Sequence, residues 1–196
     1  MLTRDKIKGF ILFPSITFEK IKKEGVDESI RYYFSLLMIY TVIVSIIYFI
    51  TDYKDEPMLL FFAMLGSVAG GLLILIIGAA WLHLWIVLLG GRGYIKTVKI
   101  IAYARTPQLL FGWIAILPSL LMHTFIIPHI VSLLLEGIFL AWVFALTVIG
   151  VREIHEFTTS KAILGVIISL IPLILLITIS ILLDIWIMTL PEVTFT

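Results

Sequence analysis

The sequence predicts an all-α polytopic membrane bundle of five transmembrane helices, with interfacial amphipathic helices on the cytoplasmic side. Three observations carry that prediction. Of 196 residues, 61% are hydrophobic and only 14% charged, against roughly 45–50% and 25% in an ordinary soluble domain. Five segments are long and apolar enough to cross a hydrocarbon core, which takes about 20 residues. When the chain is threaded through those five spans, thirteen of its fourteen basic residues fall on one side.

Residues 1–32 form a basic segment ahead of the first span. Ile7, Phe10 and Ile11 share a helical face, with Arg4, Lys6 and Lys8 largely elsewhere, and after Pro14 the apolar anchors Ile16, Phe18 and Ile21 alternate with lysines. The run Phe10 to Phe13 is too short for the apolar region of a signal peptide, so the first span is expected to act as the insertion signal. The expected spans are 33–50, 58–89, 108–127, 130–149 and 162–188, forming one membrane domain over 33–189, with a short external tail at 190–196. Pro118 and Pro172 fall inside the third and fifth spans. Each is read as a kink within one helix, because neighbouring groups in a membrane protein re-satisfy the freed carbonyls. The dipeptide Pro128-His129 is read as the turn between spans three and four.

Charge sets the orientation. The amino-terminal segment carries seven basic residues, residues 90–107 carry Arg92, Lys96, Lys99 and Arg105 without an acid, and Arg152 and Lys161 follow span four. Lys54 alone lies opposite, in the acidic loop that holds Asp52, Asp55 and Glu56. Positive loops stay inside, so the amino terminus is expected in the cytoplasm and the carboxyl terminus outside. In residues 94–105, Ile95, Val98 and Ala102 fall on one helical face and Lys96, Lys99 and Tyr103 on another. Two readings stand for this segment and for the amino-terminal one. They are helices lying on the inner surface, basic side toward anionic headgroups, or they are plain positive flanks.

Two stretches carry a family likeness. One is Phe13-Pro14-Ser15-Ile16-Thr17-Phe18-Glu19-Lys20-Ile21-Lys22-Lys23-Glu24. The other is Gly90-Gly91-Arg92-Gly93-Tyr94, leading through Ala102-Tyr103-Ala104-Arg105-Thr106-Pro107 into the third span. Together they resemble the prokaryotic branch of the Yip family, five-span membrane proteins whose eukaryotic members interact with Rab-type GTPases. The resemblance implies five helices, a cytoplasmic amino terminus and association with other membrane proteins. The chain departs from the eukaryotic pattern in lacking the Asp-Leu-Tyr-Gly-Pro motif and a long amino-terminal domain, so no GTPase-binding residues carry over.

The candidate functional residues form two groups. Arg92, Gly93, Tyr94, Lys96, Lys99, Tyr103, Arg105 and Pro107 belong to the family-like loop, which can serve as a structural turn, a contact for lipid headgroups or a contact for a partner. Its glycine spacing does not match a phosphate-binding loop. Glu136 and His123 are the intramembrane pair: a turn at Pro128-His129 would bring them to similar depth as a structural hydrogen bond or as a carrier of a proton or cation. In span two, Gly66 and Gly70, like Ser67 and Gly71, sit four apart and allow close helix approach, within the subunit or in a dimer. His83 and Asp184 read as rim residues beside tryptophans. The chain has no cysteine, no HExxH motif and no nucleophile with a partnering acid and base. The expected function is therefore a non-enzymatic scaffold or adaptor in a prokaryotic cell membrane, and the alternative is a small transporter, ion-conducting protein or lipid scramblase. Expected partners are the bilayer, anionic lipid headgroups, another membrane protein or a second copy. No nucleic acid, cofactor or metal is expected.

Overall fold

Helix starts and stops fall where proline and glycine put them. In the computed structural model, which describes residues 3–51, 56–118 and 126–189, α1 (Thr3–Leu12) is followed directly by α2 (Pro14–Ile21), with Pro14 opening the second helix. Proline is harmless there because the first-turn N–H has no intrahelical partner. Pro57 opens α4 (Pro57–Leu88) in the same way after α3 (Val26–Thr51). Helix α4 stops in a left-handed turn: Gly90 has φ +87°, its N–H donates to the Val87 carbonyl, and the Gly91 N–H donates to Ile86, each at 2.9 Å. This is the Schellman closure, which satisfies carbonyls orphaned at a helix end. Gly93, at φ +91°, then reverses the chain into α5 (Tyr94–Ala104).

Two long helices follow, α7 (Ile126–His155) and α8 (Thr159–Thr189). The first closes like α4, with the Phe157 N–H donating to Arg152 at 3.0 Å. Glu156 takes the left-handed position at φ 59°, which costs about 1–2 kcal/mol for a residue with a Cβ. Helix α8 continues through Pro172, in line with the single proline-containing helix expected there.

Two expectations are corrected. The segment expected as one span at 108–127 starts as α6 (Thr106–Phe111) and then tightens to a 3-10 turn over Gly112–Ala115. The break has local causes: Pro107 forces a new start after α5, and the Trp113 indole donates to the Leu110 carbonyl at 2.8 Å, taking an acceptor from the helical ladder. The turn expected at Pro128-His129 lies inside the first turns of α7, where proline is tolerated. Residues 119–125, which include His123, lie outside the described residues, as do 52–55 of the acidic loop and the tail.

Packing splits into two regimes. Helices α3, α4 and α7 are each long and apolar enough to cross a membrane. The most apolar window of α4 is only 6% buried by protein, so its Phe61, Phe62, Leu65 and Ile77 side chains must be covered by lipid. Around α5 the chain packs like a soluble core. Thr97–Ile100 and Ala102–Ala104 are buried between α3, α4 and α7, and Phe10, Phe18 and Ile21 from α1 and α2 are fully enclosed against them. The Phe10 ring lies over Tyr103 with centroids 4.9 Å apart, and Tyr32 sits at the same distance from Tyr103. Gly150 lets Phe18 and Ile100 meet against α7, because a Cβ there would lie 2.8 Å from Ile100 and 2.9 Å from the Phe18 ring.

A pair of glycine substitutions separates the regimes. Gly150→Val is expected to lower stability by about 1–3 kcal/mol through overpacking. Gly137→Ala, where an added Cβ meets nothing within 4 Å, should be neutral or gain up to about 1 kcal/mol of helix propensity. Thermal unfolding of both variants in one detergent checks the contrast.

Candidate functional site

Lys99 and Tyr103 stand four residues apart and therefore share one face of α5. That face turns inward. Lys6 on α1 donates to Glu24 Oε2 at 2.6 Å and to the Tyr103 hydroxyl at 3.2 Å, and Tyr103 donates to the same carboxylate oxygen at 2.9 Å. Lys99 donates to the backbone carbonyl of Glu24. Glu28 adds a second carboxylate 3.5 Å from Lys6. The Lys6 and Glu24 side chains are only 5% and 14% exposed. Beyond Tyr103 the network runs on, since Thr106 donates to the Tyr103 carbonyl at 2.6 Å and shares a hydrogen bond with the Tyr32 hydroxyl at 2.9 Å.

Electrostatics holds both partners charged. Burial alone would pull the Lys6 ammonium down, but the hydrogen bonds and charge of Glu24 and Tyr103 outweigh it and its pKa stands above the ordinary 10.5. Burial would push the Glu24 carboxyl up, but the hydrogen bonds from Lys6 and Tyr103 and the Lys6 charge carry it below 4.5. Desolvation raises the Tyr103 phenol, which keeps it a neutral donor. Every group here is consumed by an internal bond, so the cluster acts as a latch that holds the amino-terminal helices on α5.

A second polar contact joins α2 to α7. The Arg152 guanidinium donates to Ser15 Oγ at 2.6 Å and to Glu153 at 2.5 Å, while Ser15 donates to Glu153. Lys22 pairs with Glu156 at the end of α7. A third contact crosses the centre: Thr97 Oγ1 lies 2.9 Å from His83 Nδ1 and 3.2 Å from His155 Nε2. One hydroxyl can donate to one imidazole while accepting from the other. His83, expected as a rim residue, is thus tied to α5 and α7. Among the described residues no group of three or more metal-ligating side chains converges.

The remaining candidates scatter. Arg92 and Lys96 face outward, Gly93 makes the turn, and Pro107 is buried. The half-buried Tyr94 donates from its hydroxyl to the Ile76 carbonyl at 2.9 Å. Arg105 donates to Gln108 Oε1 at 3.0 Å beside α4. Lys99 and Tyr103 do not face headgroups: α5 is enclosed on both faces, with Val98 and Ala102 buried as well as Lys99 and Tyr103, and only Ile95 and Lys96 near its start are exposed. Glu136 lines a cavity of about 240 Å³ with Tyr40, Tyr48, Gln108 and Ser132, whose buried Oγ has no hydrogen-bond partner among the described residues. Its expected partner His123 lies outside the described residues.

Against this arrangement, a family model described as the Yip1 domain matches residues 8–182. The chain belongs to the Yip1 domain family. The match takes in α2, the Glu24 turn, α5 and most of α8, so the latch joins parts of one Yip1 domain, with Lys6 just ahead of its first matched residue. No curated protein and no solved structure matches the chain.

Lys6 and Glu24 were not among the candidates read from the sequence. A usable signal existed: Lys6 and Phe10 lie four apart, on one face of α1, and Phe10 is the most bulky apolar residue there. Removing one charge tests the latch. Glu24→Gln leaves the Lys6 ammonium with only the half-exposed Glu28 carboxylate at 3.5 Å and is expected to cost about 1–3 kcal/mol, read as lower amide protection through α1 and α2, with Lys6→Met/Glu24→Gln recovering most of the loss. The pH dependence follows from the shifts. The Glu24 contribution is present above pH 4.5 and lost as pH falls through its lower folded value. The Lys6 contribution is present below 10.5 and lost only above it. Protection factors in α1–α2, with the intrinsic pH dependence of amide exchange divided out, should therefore stay flat across neutral pH and fall below about pH 4.

Proposed function

We propose that this Yip1-family protein is a non-enzymatic scaffold or adaptor of a prokaryotic cell membrane, built on five spans with the amino-terminal face in the cytoplasm. The observation that carries the reading is the latch. It joins α1, α2 and α5 into one block whose reactive groups are spent on internal bonds, while Lys8, Lys20, Lys23, Arg92 and Lys96 remain exposed around it. A rigid, basic surface beside a membrane suits contact with acidic partners and anionic headgroups. The corner between α1 and α2 adds exposed Leu12, Phe13 and Ile16. These would dip below the headgroups while the neighbouring lysines stay in the charged layer. The interfacial role thus belongs to this corner rather than to α5.

Isolation of the tagged protein from its own membrane into nanodiscs, followed by mass spectrometry of retained proteins, tests the adaptor role. A stoichiometric partner is expected, and Arg92→Glu/Lys96→Glu should reduce its recovery about tenfold without altering the fold, because both side chains are exposed. Retention of no partner by the wild type, or equal retention by the double variant, would sink the proposal.

A second reading rests on the Glu136 cavity. A carboxylate, two tyrosines and a serine hydroxyl with no partner among the described residues, around one space within the bundle, suit passage of a proton or cation. Glu136→Gln should then abolish flux in reconstituted vesicles, whereas the adaptor reading expects partner recovery to be unchanged by it.

A further inference from the structure

We infer that Arg105 and the open glycine face of α4 form a built site for the headgroup of one anionic phospholipid, whose acyl chain lies along α4. The inference deepens the lipid-contact part of the proposed function and does not depend on a protein partner. A guanidinium stays charged under all ordinary conditions, and that of the half-buried Arg105, partly withdrawn from water, gains from meeting an anion. Among the described residues no carboxylate lies within ion-pair range of Arg105, and its one hydrogen bond goes to the neutral Gln108 side chain at 3.0 Å. The pair lines a cavity of about 300 Å³ whose opposite wall is Gly66, Ser67, Gly70 and Gly71. Of these glycines, only Gly71 is used in packing, against Leu37 of α3. A Cβ at Gly66 or Gly70 would meet nothing within 4 Å.

The level of the site suits a phosphate. Leu37 also lines the cavity, and it lies six residues beyond Arg31, the last charged residue of α3. That is about 9 Å along the helix at 1.5 Å per residue, a distance that an arginine stem spans toward the headgroup layer. Deeper in the membrane, beyond Gly66, α4 continues with the exposed apolar side chains of Leu65 and Phe62. One end of the cavity thus matches a phosphate diester and the other a hydrocarbon chain. A second copy of α4 packed on the glycines would meet the close-approach requirement but would cover Arg105 with an apolar helix and supply no anion.

The test uses the full chain in detergent, with native mass spectrometry after adding phosphatidylglycerol, phosphatidylcholine or inorganic phosphate. The wild type is expected to retain one phosphatidylglycerol at least about tenfold more than phosphatidylcholine, undiminished by free phosphate. Gly70→Leu fills the groove from a position where an added Cβ meets nothing within 4 Å, and Arg105→Gln removes the charge. Each should cut phosphatidylglycerol retention about tenfold, while Arg105→Lys restores part of it. Melting curves confirm that Gly70→Leu remains folded. Equal retention of the two lipids by the wild type would overturn the inference, as would undiminished phosphatidylglycerol on Gly70→Leu or displacement by inorganic phosphate. A shift from dimer to monomer in Gly70→Leu with lipid retention unchanged would assign the groove to a second copy instead. None of these outcomes bears on whether a protein partner is retained, so the adaptor role stands or falls separately.

Discussion

The buried pair of Lys6 and Glu24, closed by the Tyr103 hydroxyl, is the contact on which the amino-terminal half of the molecule depends. Removing Lys6 leaves the Glu24 carboxylate without its cation in a site with little water, where an unpaired ion is far more costly than the intact pair, and removing Glu24 leaves Lys6 only the more exposed Glu28. The geometry makes the pair selective as well as strong. Lys6 reaches Tyr103 only if α1 lies across α5, and Glu24 reaches both only if the chain turns back after α2. Phe10 stacked on Tyr103 and Phe18 seated at Gly150 then fill the space around the charges. The polar contacts specify the arrangement, and the aromatic contacts supply the burial that holds it.

This soluble-type core exists inside a protein whose other surfaces are made for lipid. Helices that face hydrocarbon gain little by packing on one another, since the tails are as apolar as leucine. The sparsely buried α4 shows that regime. Helix α5 is different because it is short, carries lysines and a tyrosine, and could not span a bilayer. Enclosed by α3, α4 and α7 and roofed by α1 and α2, it adds buried polar contacts between helices that otherwise meet mainly through apolar packing and the Tyr33–Gly71 hydrogen bond. His83, Thr97 and His155 do the same on its other side, joining α4, α5 and α7 through a single hydroxyl. The family match, which begins within α1 and runs into α8, is consistent with one cooperative unit.

The candidate residues were legible as a stretch of sequence but not as a site. Residues 90–107 stood out because four basic residues and three glycines interrupt an apolar chain, and the structure does place α5 at the centre. That α5 is enclosed on both faces was not legible, because amphipathicity states only that two faces differ. The sequence places Lys99 and Tyr103 on the polar face, and a polar face is normally outward. Here the Glu24 backbone carbonyl accepts from Lys99 and its carboxylate accepts from Tyr103, and a residue 75 positions away leaves no periodic trace. Glu136 was visible for the opposite reason: one carboxylate in an apolar run is conspicuous without any partner. The cavity it shares with Tyr40 and Gln108 needed three helices to be assembled.

By itself the sequence determined the solvent and the class. Hydropathy and composition are summed over the chain, so lipid as the surrounding medium and long apolar helices follow without knowing any contact. Proline and glycine act locally, so the starts of α2 and α4 and the reversal at Gly90–Gly93 were legible too. Only the tertiary structure decided that the segment after Pro107 opens as two short turns, that α7 begins before Pro128, and that the basic amino-terminal helices are latched to α5 rather than lying free. Those outcomes rest on charges and rings brought together from distant positions, and the energy of such a pair depends on burial that no single segment carries.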